Sequence, residues 1–330
     1  MKNENKNKQR LVYFNGDFVP ESEAKISIYD SSLMFGDMVF EMTRSFNKKQ
    51  FKLKEHLDRL FASIKCLRIS LTMTPKEMER AIYKTIEIND HIFEKDDEHR
   101  LMIDVSRGIL SLYEDVVGVN KGTNIIIADF PLRWTVSSMG HLFDDGINAV
   151  IPSQRAIPSY LLEPKVKSRS RIHYLMANIE VANYEGKDNW ALLLDPDGFI
   201  AEGTGDNFFI VKDRIIITPE GRNILRGISR KYIFELANQL KLKCIEKNIE
   251  PYDVYTADEA FVTGTPFCLL PVTRLNGVKI DSGRMGTITK ILLDKWSANV
   301  GVDIEKQIKG WAVPAKTKAG PSPYSFKQKK

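Results

Sequence analysis

The sequence predicts a two-domain α+β protein. Three observations lead there. The 330 residues suffice for two domains of ordinary size. Apolar residues recur at period 2 in short runs and at helical spacing in longer ones. The runs meet at hairpin turns, without the regular strand–helix alternation of a doubly wound sheet.

The elements follow in order. "RLVYFNGDFVP" reads as a strand, a tight Asn-Gly-Asp turn and a second strand. "EHLDRLFASIKCLRI" is an amphipathic helix, with Leu57, Leu60, Phe61, Ile64 and Leu67 on one stripe. Thr74-Pro75-Lys76-Glu77 is a capping box with proline at the first helical position. Met78, Ala81, Ile82, Thr85 and Ile86 line the helix it starts. "RLMIDVSRG" and "TNIIIADF" are strands, and "INAVIPSQRAI" reads as another. "HYLMANIEVANYEG" is helical, with Gly186 as its C′ stop. "WALLLDPDGFIAEG" is a hairpin turning at Pro196-Asp197-Gly198, and "NFFIVKDRIIITPE" is a second hairpin. "SRKYIFELANQLKL" and "GTITKILLDKWSANVG" are helices flanking the strand-like "EAFVTGTPFCLLPVTRL". The expected organisation is a smaller N-terminal domain over 11–130, a linker over 131–142, a larger domain over 143–308 and a basic tail over 309–330.

Composition narrows the function classes. Hydrophobic residues are 43% and charged residues 28%, as in ordinary globular proteins. No apolar run is long enough to cross a bilayer, and "MKNENKNKQR" has no apolar signal core. Cys66, Cys244 and Cys268 are odd in number and far apart, so neither a disulfide framework nor a zinc site is expected. A cytoplasmic protein without a metal fits. The net charge of +5 is concentrated at the ends: residues 1–10 carry +3 and residues 309–330 carry +6, leaving the body at −4. Basic ends on a mildly acidic body do not make a nucleic-acid surface.

Three stretches can carry chemistry. In "ILRGISRKY" a glycine precedes Ser229 at a helix start, where unpaired backbone N–H groups suit an anion; the same pattern serves as an ordinary cap. In "FIAEGTGDNFF" Glu202 ends a strand beside two glycines, placed to meet a ring nitrogen or to bond loop amides. In "PKVKSRSRIHY" two lysines precede a helix and are candidates for an imine-forming amine or for a solvated charge run.

Taken in order, "FGDMVFEMTRSF", "FKLKEHLDRLFASIKCLRI", "LLLDPDGFIAEGTGDNFFIVKDRIIITP", "ILRGISRKYIFELA" and "AFVTGTPFCLLPV" resemble the consecutive signatures of class IV (fold type IV) pyridoxal-phosphate aminotransferases. That family includes branched-chain and D-amino-acid aminotransferases, (R)-amine transaminases and 4-amino-4-deoxychorismate lyase. The resemblance runs from residue 11 to residue 305. It implies the two-domain fold of the D-amino-acid aminotransferases, a homodimer and pyridoxal 5'-phosphate as cofactor. It implies amino-group transfer between an amino acid and a 2-oxo acid through a lysine Schiff base. A lyase acting on aminodeoxychorismate, and a lysine-less binding protein of the same fold, are the alternatives.

Residue by residue, the resemblance matches Gly227, Ile228 and Ser229 to the phosphate cup and Arg59 to the phosphate arginine. Arg59 lies across its helix from Leu57 and Leu60, so exposure to an anion is expected. Glu202 matches the carboxylate facing the pyridine nitrogen, and Tyr174 the tyrosine that reaches the phenolic oxygen. Thr265 matches a second phosphate position, and Phe40 a substrate-side aromatic. Counting back from Tyr174 to the family lysine reaches Ser170 or Arg169; aligning "AIPSYLLEPKVK" from the left reaches Lys167. Lys167 is the preferred assignment, with Arg169-Ser170-Arg171 as an inserted turn and Lys165 the poorer candidate, on the same face by strand alternation. His173 replaces the usual asparagine. Pro266 removes one of two N–H donors that bind the substrate carboxylate in branched-chain enzymes. Arg100, Arg107, Arg169 and Arg171 are candidates to replace it, or surface ion-pair residues.

Overall fold

The computed structural model describes residues 9–312; the expected basic stretch beyond residue 312, and residues 1–8, lie outside them. The described residues divide into two compact units. One contains the residues up to Trp134 together with Val166–Arg171; the other contains Thr135–Lys165 and the residues from Ile172 onward.

The first unit is a five-stranded sheet with two long helices on one face. Its strands are β1 (Leu11–Phe14), β2 (Asp17–Pro20), β3 (Met38–Met42), β6 (His99–Ser106) and β7 (Asn124–Pro131), in the order β2-β1-β7-β6-β3 and antiparallel throughout. A two-stranded hairpin, β4 (Ser45–Phe46) with β5 (Lys49–Gln50), follows β3. The short helix α1 (Ser31–Phe35) precedes β3. Helices α2 (Leu53–Cys66) and α3 (Pro75–Asn89) supply Leu57, Leu60, Ile64, Met78, Ile82 and Ile86 to a core shared with Val39, Leu101, Ile103, Val105 and Ile127. The alternate residues of β3 and β6 therefore face away from the helices. The capping box at Thr74 forms as the sequence predicts: Thr74 and Glu77 exchange side-chain and backbone bonds. Leu60 is fully buried, so Leu60→Ala would cost about 2–5 kcal/mol.

β3 lies at the edge of this sheet, and an exposed edge invites pairing. The segment 167–169 covers it. The Phe40 N–H donates to the Lys167 carbonyl at 2.9 Å and the Arg169 N–H to the Met38 carbonyl at 2.8 Å, with Val39 bridged to Ser168. The Ser170 hydroxyl donates to the Phe35 carbonyl at 2.8 Å. Arg169-Ser170-Arg171 thus begins as a strand-like cover rather than a free turn, and helix α6 starts only at Ile172. Lys165 stands outside this pairing, so strand alternation does not relate it to Lys167.

After α4 (Arg133–Val136) and α5 (Leu142–Asp145), the second unit forms a nine-stranded mixed sheet. Its strands are β8 (Ile147–Val150), β9 (Asn189–Leu194), β10 (Ile200–Gly203), β11 (Asn207–Lys212), β12 (Ile215–Thr218), β13 (Cys244–Glu246), β14 (Glu259–Gly264), β15 (Cys268–Leu275) and β16 (Val278–Lys279). The order is β10-β9-β8-β15-β14-β11-β12-β13, with β16 beside β15. β10 also pairs β11, through Glu202 opposite Asn207, so six strands close into a ring. Helices α6 (Ile172–Val181), α7 (Ile228–Gln239), α8 (Pro251–Tyr255), α9 (Thr287–Val300) and α10 (Ile304–Gly310) complete the unit.

Several expected boundaries move. Only Ile147–Val150 of "INAVIPSQRAI" is strand. α6 stops at Val181, because Asn183 and Tyr184 bond three residues back and tighten the chain into turns; Gly186 is therefore not its C′ residue. α10 runs to Gly310, and Lys309 within it binds Asp144 and Glu305 at 2.8 Å each, so the expected tail does not begin at 309.

Candidate active site

The second unit holds six of the matched positions: Glu202, Tyr174, Gly227, Ile228, Ser229 and Thr265. Glu202 is 4% exposed on β10. Its Oε1 accepts from the Tyr174 hydroxyl at 2.8 Å and the Leu225 N–H at 3.0 Å, and its Oε2 accepts from Asn207 Nδ2 at 2.9 Å. Such a set of N–H and O–H donors suits an anionic acceptor. Tyr174 comes from the first turn of α6, so a strand carboxylate and a helix phenol meet. Asp206, in the tight turn after Gly203, has its carboxyl pushed up to about 7, by burial first and by the Glu202 charge second.

Gly227 is the N-cap of α7, with extended backbone and no side-chain cap. Among the described residues the Ile228 and Ser229 N–H groups find no acceptor, as a helix start must leave them unless a ligand arrives. Glycine is needed here for close approach: a Cβ at 227 would lie 2.1 Å from Asn207 Oδ1. Bare amides at a helix start beside a buried carboxylate fit a cofactor with an anionic phosphate and a protonated ring nitrogen. Thr265 and Pro266 occupy the turn between β14 and β15, where Gly264 pairs Cys268. Thr263 Oγ1, two residues before Thr265, is buried without a hydrogen-bond partner among the described residues.

The first unit gathers Phe40, Lys167, Arg169 and Arg171 on the sheet face away from α2 and α3. Phe40, opposite Asp104 in the β3–β6 register, is 3% exposed. The Lys167 ammonium lies 4.7 Å from the Phe40 ring centre, and the Arg169 and Arg171 guanidiniums lie 3.9 and 5.5 Å from it. Arg169 is also bound to buried Asp104, by Nε at 2.9 Å and Nη2 at 2.7 Å. Burial raises the Asp104 carboxyl, with Arg169 acting against it. Arg100 lies on the same face, its Nη2 3.6 Å from Met42 Sδ and its guanidinium 6.0 Å from the Phe130 ring. The Lys165 ammonium instead binds Glu163 at 2.5 Å and the Arg222 carbonyl at 3.2 Å.

One expectation changes, and of the two readings open for Arg107 the ion pair forms. Arg59 is not an exposed cation: its side chain is 12% exposed, and Glu41 takes its Nε at 2.6 Å and Nη2 at 2.8 Å. The reason is β3, which turns Glu41 toward α2. Arg107 is a structural ion-pair residue, joining Asp37 to the carbonyls of Leu67 and Arg68 at the end of α2.

His56 Nδ1 stands 2.7 Å from the same Glu41, which completes a buried group of three. Burial opposes the Glu41 charge, but Arg59 and His56 outweigh it and hold the carboxyl well below its usual range. Burial keeps His56 neutral, so Nδ1 carries its proton toward Glu41. Sequence reasoning missed Glu41, His56, Asp206 and Asn207. The signal for Asn207 was its place directly after the turn that follows Glu202; Glu41 and His56 offered none until strand and helix were paired.

Residues 38–275 match the family described as Amino-transferase class IV. The chain is 39% identical over 286 residues to a Methanocaldococcus jannaschii protein with a provisional branched-chain-amino-acid aminotransferase name, across 86% of this chain and 94% of that one. It also resembles the T.th. branched-chain amino acid aminotransferase solved with pyridoxamine 5'-phosphate, at 27% identity and a TM-score of 0.77 over 92% of this chain and 98% of that one. The same T.th. enzyme complexed with N-(5'-phosphopyridoxyl)-L-glutamate gives 28% identity and a TM-score of 0.76 over the same shares. By sequence and by fold, the chain belongs to the class IV aminotransferase family.

Proposed function

We propose that this protein moves an amino group between an amino acid and a 2-oxo acid with pyridoxal 5'-phosphate, and that one of its substrates carries a second acidic group, as glutamate and 2-oxoglutarate do. The observation that carries the reading is the buried Glu202 carboxylate with its three donors, in the unit that also bears the bare amides of Ile228 and Ser229. When bound, the cofactor supplies an electron sink for the pair released as the substrate Cα loses a proton.

The chain's own residues do the rest. Lys167 Nζ is the amine that holds the cofactor and moves the Cα proton. Glu202 meets the protonated ring nitrogen and Tyr174 the phenolic oxygen. The Ile228 and Ser229 amides, Arg59 and Thr265 hold the phosphate. Glu41, itself held by His56 Nδ1, fixes the Arg59 guanidinium by its Nε and Nη2 edge.

The acidic substrate is supported by the arginines around Phe40 and by Pro266, which has no N–H for an α-carboxylate. Arg169 and Arg171 are the side chains assigned to the second carboxylate. The glutamate adduct in the T.th. structure agrees with this class. A homodimer is proposed too, supported by Leu33 and Phe35, which α1 leaves exposed.

The test is turnover of the holoprotein with glutamate, leucine, isoleucine and valine, each with a matched 2-oxo acid. Glutamate should be used best. Equal or faster turnover of the branched-chain amino acids would overturn the acidic-substrate reading. Pyruvate release without an acceptor would instead mark a lyase, and failure to take up the cofactor a binding protein.

A further inference from the structure

We propose that Asn207 is a positioning residue that ties the Glu202 carboxylate to the start of helix α7, so that the groups meeting the ring nitrogen and the phosphate keep one fixed spacing. The inference rests on the roles proposed above for Glu202 and Gly227.

The argument begins with the ring of strands. β10 and β11 close it at one register pair, Glu202 opposite Asn207, and β11 continues the ladder with Asn207 opposite Thr263. Asn207 is 4% exposed, so its amide must find partners inside the protein. Both of its N–H bonds are used. One goes to Glu202 Oε2 and the other to the Leu225 carbonyl, each at 2.9 Å. Two acceptors on one side fix the orientation of the amide, because the flipped group would set oxygen against oxygen. The remaining atom, Oδ1, then faces Gly227, where even a methyl group would come within 2.1 Å.

The Leu225 N–H returns to Glu202 at 3.0 Å, so residue 225 is bonded to the carboxylate directly and through Asn207. Leu225 also accepts from the Gly227 N–H at 2.9 Å, which turns the chain into the helix start. Carboxylate, amide and helix start thus form one closed set of hydrogen bonds. No other residue type of this size offers two donors on one branch and an oxygen on the other.

Asn207→Asp is the informative variant. It keeps the shape, loses both donors and sets a second carboxylate against Glu202; two carboxyls in contact share a proton and titrate as a pair. Pyridoxal 5'-phosphate affinity should fall ~10- to 100-fold, as for one lost hydrogen bond to a charged group. The pH profile of the bound cofactor's absorbance should shift from that of the wild type, in which Asp206, pushed up to about 7 by burial and by the Glu202 charge, already titrates. Adding Glu202→Gln to Asn207→Asp should remove the pairing of the two carboxyls and with it that shift.

Glu202→Gln alone separates the two layers of the argument. If it changes neither affinity nor spectrum, the proposed role of Glu202 has failed, and this inference with it. If it changes them while Asn207→Asp binds and titrates like the wild type, only the positioning role is overturned. Asn207→Ser guards against misfolding: it should bind the cofactor more weakly while the apoprotein melts close to the wild type. Failure of both Asn207 variants to give folded apoprotein would make Asn207 a fold residue and overturn the proposal.

Discussion

The Lys167 ammonium and the Phe40 ring are neighbours, 4.7 Å apart, on the edge strand that the Lys167 backbone itself covers. The backbone pairing fixes where the lysine leaves the chain, and the ring gives its stem and charge a surface to rest on. Arg169 and Arg171 share that ring. A cation on an aromatic face is worth about 0.5–2 kcal/mol. Phe40→Leu should therefore lower the unfolding free energy by about 1–3 kcal/mol and reduce transamination about 10-fold through a misplaced lysine, whereas Phe40→Tyr should retain both. Urea unfolding and steady-state rates check this; identical behaviour of the two variants would remove the ring from the account.

Glu41→Gln should destabilise the protein by about 3–5 kcal/mol at neutral pH, because it leaves the Arg59 charge buried without its carboxylate. The effect has a pH signature. Glu41 is held below its unfolded value, so its contribution is complete above about pH 4.5 and is lost as pH falls. The gap between wild type and variant should close below that pH. His56, kept neutral by burial, adds an acid-sensitive loss that begins near pH 6.5, where the unfolded chain starts to take its proton. Unfolding midpoints across this range would show both limbs, and a gap independent of pH would contradict the assignment.

Gly227→Ala places a methyl group against Asn207 Oδ1. Since the Gly227 φ of −61° is open to any residue, the cost is contact alone. About 1–3 kcal/mol of stability should go, and cofactor affinity should fall ~10-fold or more as the helix start shifts. Equilibrium titration of the apoprotein with pyridoxal 5'-phosphate measures it; unchanged affinity would show that α7 is not the phosphate site.

Asp206→Asn should stabilise the protein at alkaline pH and not at acid pH. The Asp206 carboxyl, pushed up to about 7, prefers its proton in the folded state. The folded protein thus gains from protonation at low pH and loses that gain as pH rises through about 7. The amide cannot ionise and avoids the loss. The side chain is part-exposed, so the gain is on the order of 2 kcal/mol, discounted from about 1.4 kcal/mol per pKa unit. Thermal melts at about pH 4 and about pH 9 bracket the two values; a gap of the same size at both would contradict the raised carboxyl.

What was legible in the sequence was local. The capping box at Thr74, the turn at Pro196–Gly198 and the glycine before α7 are each written within a few residues, and each forms. What was not legible depends on partners distant in the chain. Glu41 looks like an ordinary strand residue until β3 lies under α2 and meets His56 and Arg59. Asn207 meets Glu202 only when the ring of strands closes. The segment 167–169 reads as a basic loop, and only the unpaired edge of β3 gives it a strand's geometry. The end of α6 moved because asparagine and tyrosine turns replaced the glycine stop.

The central claim is that Lys167 is the amine that holds the cofactor. Borohydride reduction of the holoprotein, followed by peptide mapping, tests it most directly. The phosphopyridoxyl label should be found on Lys167, and Lys167→Ala should abolish both label and transamination. A label on Lys165 would move the chemistry to the lysine that the structure binds to Glu163. No label on a protein that still takes up cofactor would contradict the claim.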